Sequence, residues 1–92
     1  MRKSLRRLSP LHHGILQRTT RLLEDSFQTA IETDEPFVEL HGLLKPLEDN
    51  GEYPFFDWSA IEGVFEDVLY NHRTVQSAAY KAAMDITGLS MF

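Results

Sequence analysis

Along the 92 residues of the chain, apolar side chains recur mainly at helical spacing, and the places where the recurrence stops mark the elements. Leu11, Ile15, Leu16, Leu22, Leu23, Phe27, Ala30 and Ile31 gather on one broad arc when wound at about 100° per residue. Gln17, Arg18, Arg21, Glu24, Asp25 and Gln28 fall opposite them, while His12, Thr19 and Ser26 lie inside the apolar arc. The pattern predicts a helix over about 10–32. Ser9 is placed to cap it, and Pro10 takes the first helical position, where a missing N–H costs nothing. The run Thr33–Pro36 then supplies turn chemistry, because a residue that precedes proline avoids the helical region.

A shorter helix over about 36–44 follows from Phe37, Leu40, Leu43, Leu44 and Leu47 on one face, with Pro46 expected to stop or kink it. Taken alone, the stretch PFVEL also reads as a strand. Asn50–Gly51 is the strongest turn signal in the chain. The last helix has two candidate starts. Asp57 would cap it with Phe56 packed on Ile61, or Ser59 and Glu62 would form a capping box. From Trp58 through Ile61, Val64, Phe65, Val68, Leu69, His72, Val75, Ala79, Ala82, Ala83 and Ile86 the apolar stripe keeps one phase. It passes through YNHRT without a register jump, so the reading is a single helix over about 58–87, roughly 45 Å long, ended by Gly88.

The fold class is therefore all-α: a small helical bundle with two long amphipathic helices (about 10–32 and 58–87) and a short helix (about 36–44) between them. Residues 1–8 form a basic N-terminal arm and 9–92 a single helical domain. The end of the long last helix carries Ala78, Ala79, Ala82 and Ala83, which bury little area but let another backbone come close. These alanines are the expected interface of a homodimer, since three helices of such unequal length leave one end of the stripe uncovered.

Charge changes the picture most. Residues 1–21 hold six cations and no acid, whereas residues 22–67 hold thirteen acids against Lys45 alone. Sign asymmetry of this kind bears on partners rather than on fold. The acidic middle, with Glu24, Glu32, Asp34, Glu35, Glu39, Glu48, Asp49 and Glu52, is the candidate face for a protein carrying a basic patch. Arg2, Lys3, Arg6 and Arg7 form a candidate nucleic-acid arm, and the same acid-free start also fits an organelle-targeting presequence. Four of ten aromatics crowd into residues 53–58. Trp58 belongs to the core stripe, so Tyr53 and Phe55 remain as candidate aromatic contacts for a partner.

The search for chemistry narrows the classes. With no cysteine there is neither disulfide framework nor thiolate metal site, which suits the cytoplasm. The four histidines show no ligand spacing, and His12 and His72 on apolar stripes read as buried, hydrogen-bonded core residues. The five glycines are scattered, so no phosphate loop is encoded, and the carboxylates lie on outward arcs instead of in a cleft. No apolar run is long enough to span a membrane. No catalytic residue, metal or cofactor is expected. The leading function is a small acidic regulatory or inhibitory protein that binds another protein and masks a basic nucleic-acid-binding surface on it. In charge and size it resembles the small acidic helical inhibitors carried by phages. The alternatives are a nucleic-acid-binding accessory protein that uses the Arg-rich arm, and a structural subunit or assembly adaptor of a larger complex.

Overall fold

The computed structural model describes residues 10–89, which form four helices and no strand. They are α1 (Pro10–Ile31), α2 (Pro36–Asn50), α3 (Trp58–Tyr70) and α4 (Val75–Thr87). The all-α bundle expected from periodicity is the observed architecture, with α1 within a residue of its expected bounds. Ser9 and the arm of residues 1–8 lie outside the described residues.

The directions of the helices follow from a few contacts. A four-residue turn folds α2 back against α1. Glu48 and His41 of α2 meet Trp58 and Glu62 of α3 in that order, so α2 and α3 are antiparallel. The Phe55 N–H, in the α2–α3 loop, donates to the Ile86 carbonyl near the end of α4 (3.3 Å). The end of α4 therefore lies beside the start of α3, and the order is up, down, up, down. One end of the bundle holds the α1–α2 and α3–α4 links. The other holds the α2–α3 loop and the two points where the described chain begins and ends.

The last helix departs from expectation. It is two helices, because the chain reverses at Asn71–Thr74. His72 has φ +62°, the left-handed conformation that ends a helix. Asp67 gathers the turn around itself: its backbone carbonyl accepts from the Asn71 and Arg73 N–H groups, and its carboxylate accepts from the Asn71 amide (2.8 Å). Thr74 then caps α4 by accepting from the Ser77 N–H (3.1 Å). The apolar phase carries across this turn because phase reports which side faces inward and is blind to a reversal of the axis.

The second helix is also longer than expected. Pro46 sits inside α2 without ending it. Its missing N–H would have bonded the carbonyl of Gly42, and both residues lie on the exposed side of the helix, where water can serve that carbonyl. The helix ends where Gly51 adopts φ +71° and donates its N–H to the Glu48 carbonyl. For α3 the cap is Asp57, which accepts from the Ser59 N–H (3.0 Å).

The core runs along the bundle axis. Leu16, Leu23, Phe27 and Ala30 of α1, Leu40 and Leu44 of α2, Ile61, Val64 and Phe65 of α3, and Ile86 of α4 are buried in it. Phe27 and Phe37 both pack on the Phe65 ring, at centroid distances of 5.3 and 5.2 Å. Ala78, Ala79, Ala82 and Ala83 are fully buried in the same core. They cannot serve as the dimer interface expected of them, because α4 folds back and presents them to α1, the helix it packs against most extensively. Two histidine assignments also change. His12 and His72 are exposed, His12 on the outermost turns of α1 and His72 in the reversal, so neither is a core residue. Leu11, placed on the inward arc, is likewise exposed, since the first buried residue of α1 is Leu16.

Candidate protein-binding surface

The structure divides the eight acids of the expected face among three places. Glu24 borders a groove between α1 and α4. Glu32, Asp34, Glu35 and Glu39 occupy the α1–α2 turn and the first turn of α2. Glu48, Asp49 and Glu52 lie at the opposite end of α2, roughly 20 Å along the axis from Glu35. Glu39 and Glu48 are nine positions apart on one helix, which puts them on opposite flanks at about 100° per residue. The acidic middle of the sequence is thus not one face.

The groups differ in their company. Lys45 lies 3.2 Å from Glu48 and 3.4 Å from Asp49, and its ammonium is held above the usual lysine range first by the Glu48 hydrogen bond and then by Asp49. Glu48 also accepts from the Trp58 indole N–H (3.1 Å), and that bond, with the one from Lys45, draws its carboxyl below the usual range. Arg73 pairs with Asp67, and Lys81 with Asp85. At the α1–α2 turn the pattern is different. Among the described residues no lysine or arginine stands within ion-pair distance of Glu32, Asp34, Glu35 or Glu39, although Gln28 donates to Glu32 (3.2 Å). Val38, between Glu35 and Glu39, is 66% exposed, and Tyr70, at the same end of the bundle, is 70% exposed. Charge run-length alone signals the four acids; nothing in the pattern singled out Val38 or Tyr70, because both sit next to inward positions.

The aromatic cluster mostly closes the loop end. Phe65 is buried, while Trp58, Phe56 and Tyr53 are half-buried against the core. The Tyr53 hydroxyl lies 3.3 Å from the buried Thr19 hydroxyl, which gives that polar group a partner inside the bundle. Tyr53 is therefore a bridging residue more than an exposed contact. Phe55 remains 60% exposed, its ring lying over Gly88. A Cβ at Gly88 would collide with that ring, and its φ of +72° also calls for glycine.

One cluster escaped the sequence reading. The His41 imidazole stacks on Trp58 with centroids 3.9 Å apart and planes 8° from parallel, and His41 Nε2 bonds the Glu62 carboxylate. Phe56 meets the same indole edge-on at 5.0 Å. Together with the Glu48–Trp58 bond, these contacts tie α2 to α3. The only signal for them was the inward half-turn shared by His41 and Leu44.

Among the described residues no group of three or more histidine, aspartate or glutamate side chains is arranged to hold a metal ion. No described helix is long and apolar enough to cross a membrane. Arg2, Lys3, Arg6 and Arg7 lie outside the described residues. No protein-family model, no curated protein and no solved structure matches the chain.

Proposed function

We propose that this chain acts by binding another protein, without catalysis, through the acidic end of the bundle at the α1–α2 turn. The observation that carries the reading is the contrast in pairing. Glu48, Asp49, Asp67 and Asp85 each have a lysine or arginine at hand, whereas among the described carboxylates without one Glu32, Asp34, Glu35 and Glu39 form the densest group, four within eight positions. Like charges held this close repel one another, and a partner's basic patch would relieve the repulsion while steering the encounter. Exposed Val38 and Tyr70 supply apolar contact of the kind found at the centre of interfaces. A target whose basic patch binds nucleic acid would be masked by this end, which gives a regulatory or inhibitory protein. The absence of cysteine supports the cytoplasm as its setting.

The test is a charge reversal. E32K/E35K/E39K and a control, E48K/D49K, are compared with the original chain in matched affinity captures, followed by binding measurements on each purified partner. A partner of the proposed kind is lost in the triple reversal, retained in the control, and weakened as salt rises. Retention by the triple variant would overturn the reading.

Arg18 and Arg21 favour a second reading. They are the described cations without a carboxylate partner, and they continue toward the basic arm. A nucleic-acid accessory role would show as anisotropy of labelled DNA or RNA that rises at physiological salt and falls when residues 1–8 are removed.

A further inference from the structure

Between α1 and α4 runs a groove of about 320 Å³. Its rim is polar throughout: His13, Gln17, Arg21 and Glu24 follow one stripe of α1, and Gln76 and Tyr80 stand one turn apart on α4. Its floor includes Leu16, which is 2% exposed. Among the described residues none of these six polar side chains has a hydrogen-bond or ion-pair partner, even though Arg21 and Glu24 are neighbours at i, i+3, while Thr20, which also lines the groove, donates to the Leu16 carbonyl. Polar groups without partners along the rim of a groove with one buried leucine in its lining can supply the hydrogen bonds and charges that orient a small polar ligand.

The charges define the ligand. A guanidinium takes a carboxylate in a two-point bond, and a carboxylate one turn away takes an ammonium. A dianion would meet Glu24 and a dication would meet Arg21, so the groove favours a molecule that carries one charge of each sign. At about 320 Å³ the groove falls at the low end of small-molecule sites, too small for a docked helix and of a size with a single amino acid. Leu16 and the Tyr80 ring offer apolar contact to a side chain. We infer that the α1–α4 groove binds an amino-acid-sized zwitterion, with the carboxylate on Arg21, the ammonium on Glu24, and the amides of Gln17 and Gln76 completing its hydrogen bonds. The inference uses none of the residues of the acidic end and stands or falls apart from it.

The experiment is a heteronuclear NMR titration of the full chain with three probes. L-Leucine carries both charges, N-acetyl-L-leucine only the carboxylate, and L-leucinamide only the ammonium. Saturable shifts of backbone amides along residues 13–24 and 76–80 are expected with L-leucine, which should bind about tenfold or more tighter than either single-charge probe. R21Q should reduce L-leucine to the level of L-leucinamide, and E24Q to the level of N-acetyl-L-leucine. Neither residue belongs to the buried core, and the amide spectrum of each variant reports whether its fold is kept. Equal binding of the three probes, shifts on another face, absence of saturation, or indifference to both substitutions in a folded variant would each overturn the assignment.

Discussion

Helices α3 and α4 have the same length, thirteen residues, and each starts on a side-chain cap, yet they contribute to the core in opposite ways. α3 fills space. Its buried face is Ile61, Val64 and Phe65, and the Phe65 ring is the point on which Phe27 and Phe37 converge. α4 yields space. Apart from Ile86 its buried residues are four alanines, and that thin face lets α1 lie close along it. Removing volume should injure the first helix, and adding volume should injure the second. The comparison teaches that an alanine stripe is completed by whatever backbone reaches it first, which here is the chain's own first helix.

The largest expected effect comes from the volume side. Phe65→Ala would leave a cavity beneath two aromatic rings and should lower stability by about 3–5 kcal/mol, measured by chemical denaturation. Unfolding at unchanged denaturant midpoint would mean that Phe65 is not the hub described. Next is Ala82→Leu, which should cost about 1–3 kcal/mol by forcing α1 and α4 apart. Its check includes sedimentation at several concentrations. A change in self-association with stability intact would restore the alanines to an intermolecular role.

The smallest effect concerns how α3 is anchored to α2. Ionised Glu48 holds the Trp58 indole and Lys45, so its carboxyl in the folded chain sits below its unfolded value. The stability this contributes is complete above the ordinary carboxylate range and is lost as the pH falls through the lowered value. Trp58 is the sole tryptophan, so its fluorescence reads the anchor directly. The original chain should show an acid transition in that signal that is weakened in Glu48→Gln; identical profiles would show that other carboxylates govern it.

The candidate surfaces were legible only in part. The clustering of Glu32, Asp34, Glu35 and Glu39 can be read from sequence neighbours, because a turn keeps neighbours together. Their lack of a described lysine or arginine partner cannot, since it depends on which side chains the tertiary fold brings to that end, whereas Lys45 and Lys81 pair locally at i, i+3 and i, i+4 on their own helices. Glu39 and Glu48 looked like parts of one acidic face, and the helix between them turns one away from the other. The α1–α4 groove was invisible for the same reason: Arg21 and Tyr80 are fifty-nine positions apart, and only the antiparallel packing of their helices sets them on one rim.

The sequence by itself determined the inward side along most of each helix, the turn at Asn50–Gly51 and the glycine stop at Gly88, because these depend on local dihedral preferences and on 3.6-residue periodicity. Tertiary structure alone decided that the last apolar stripe folds into two antiparallel helices and that Pro46 is carried within α2. It also decided that the alanines meet α1. Each of these outcomes turns on where a backbone goes after it leaves its own helix. Periodicity fixes an azimuth, and only the competition among whole helices for buried surface fixes a direction.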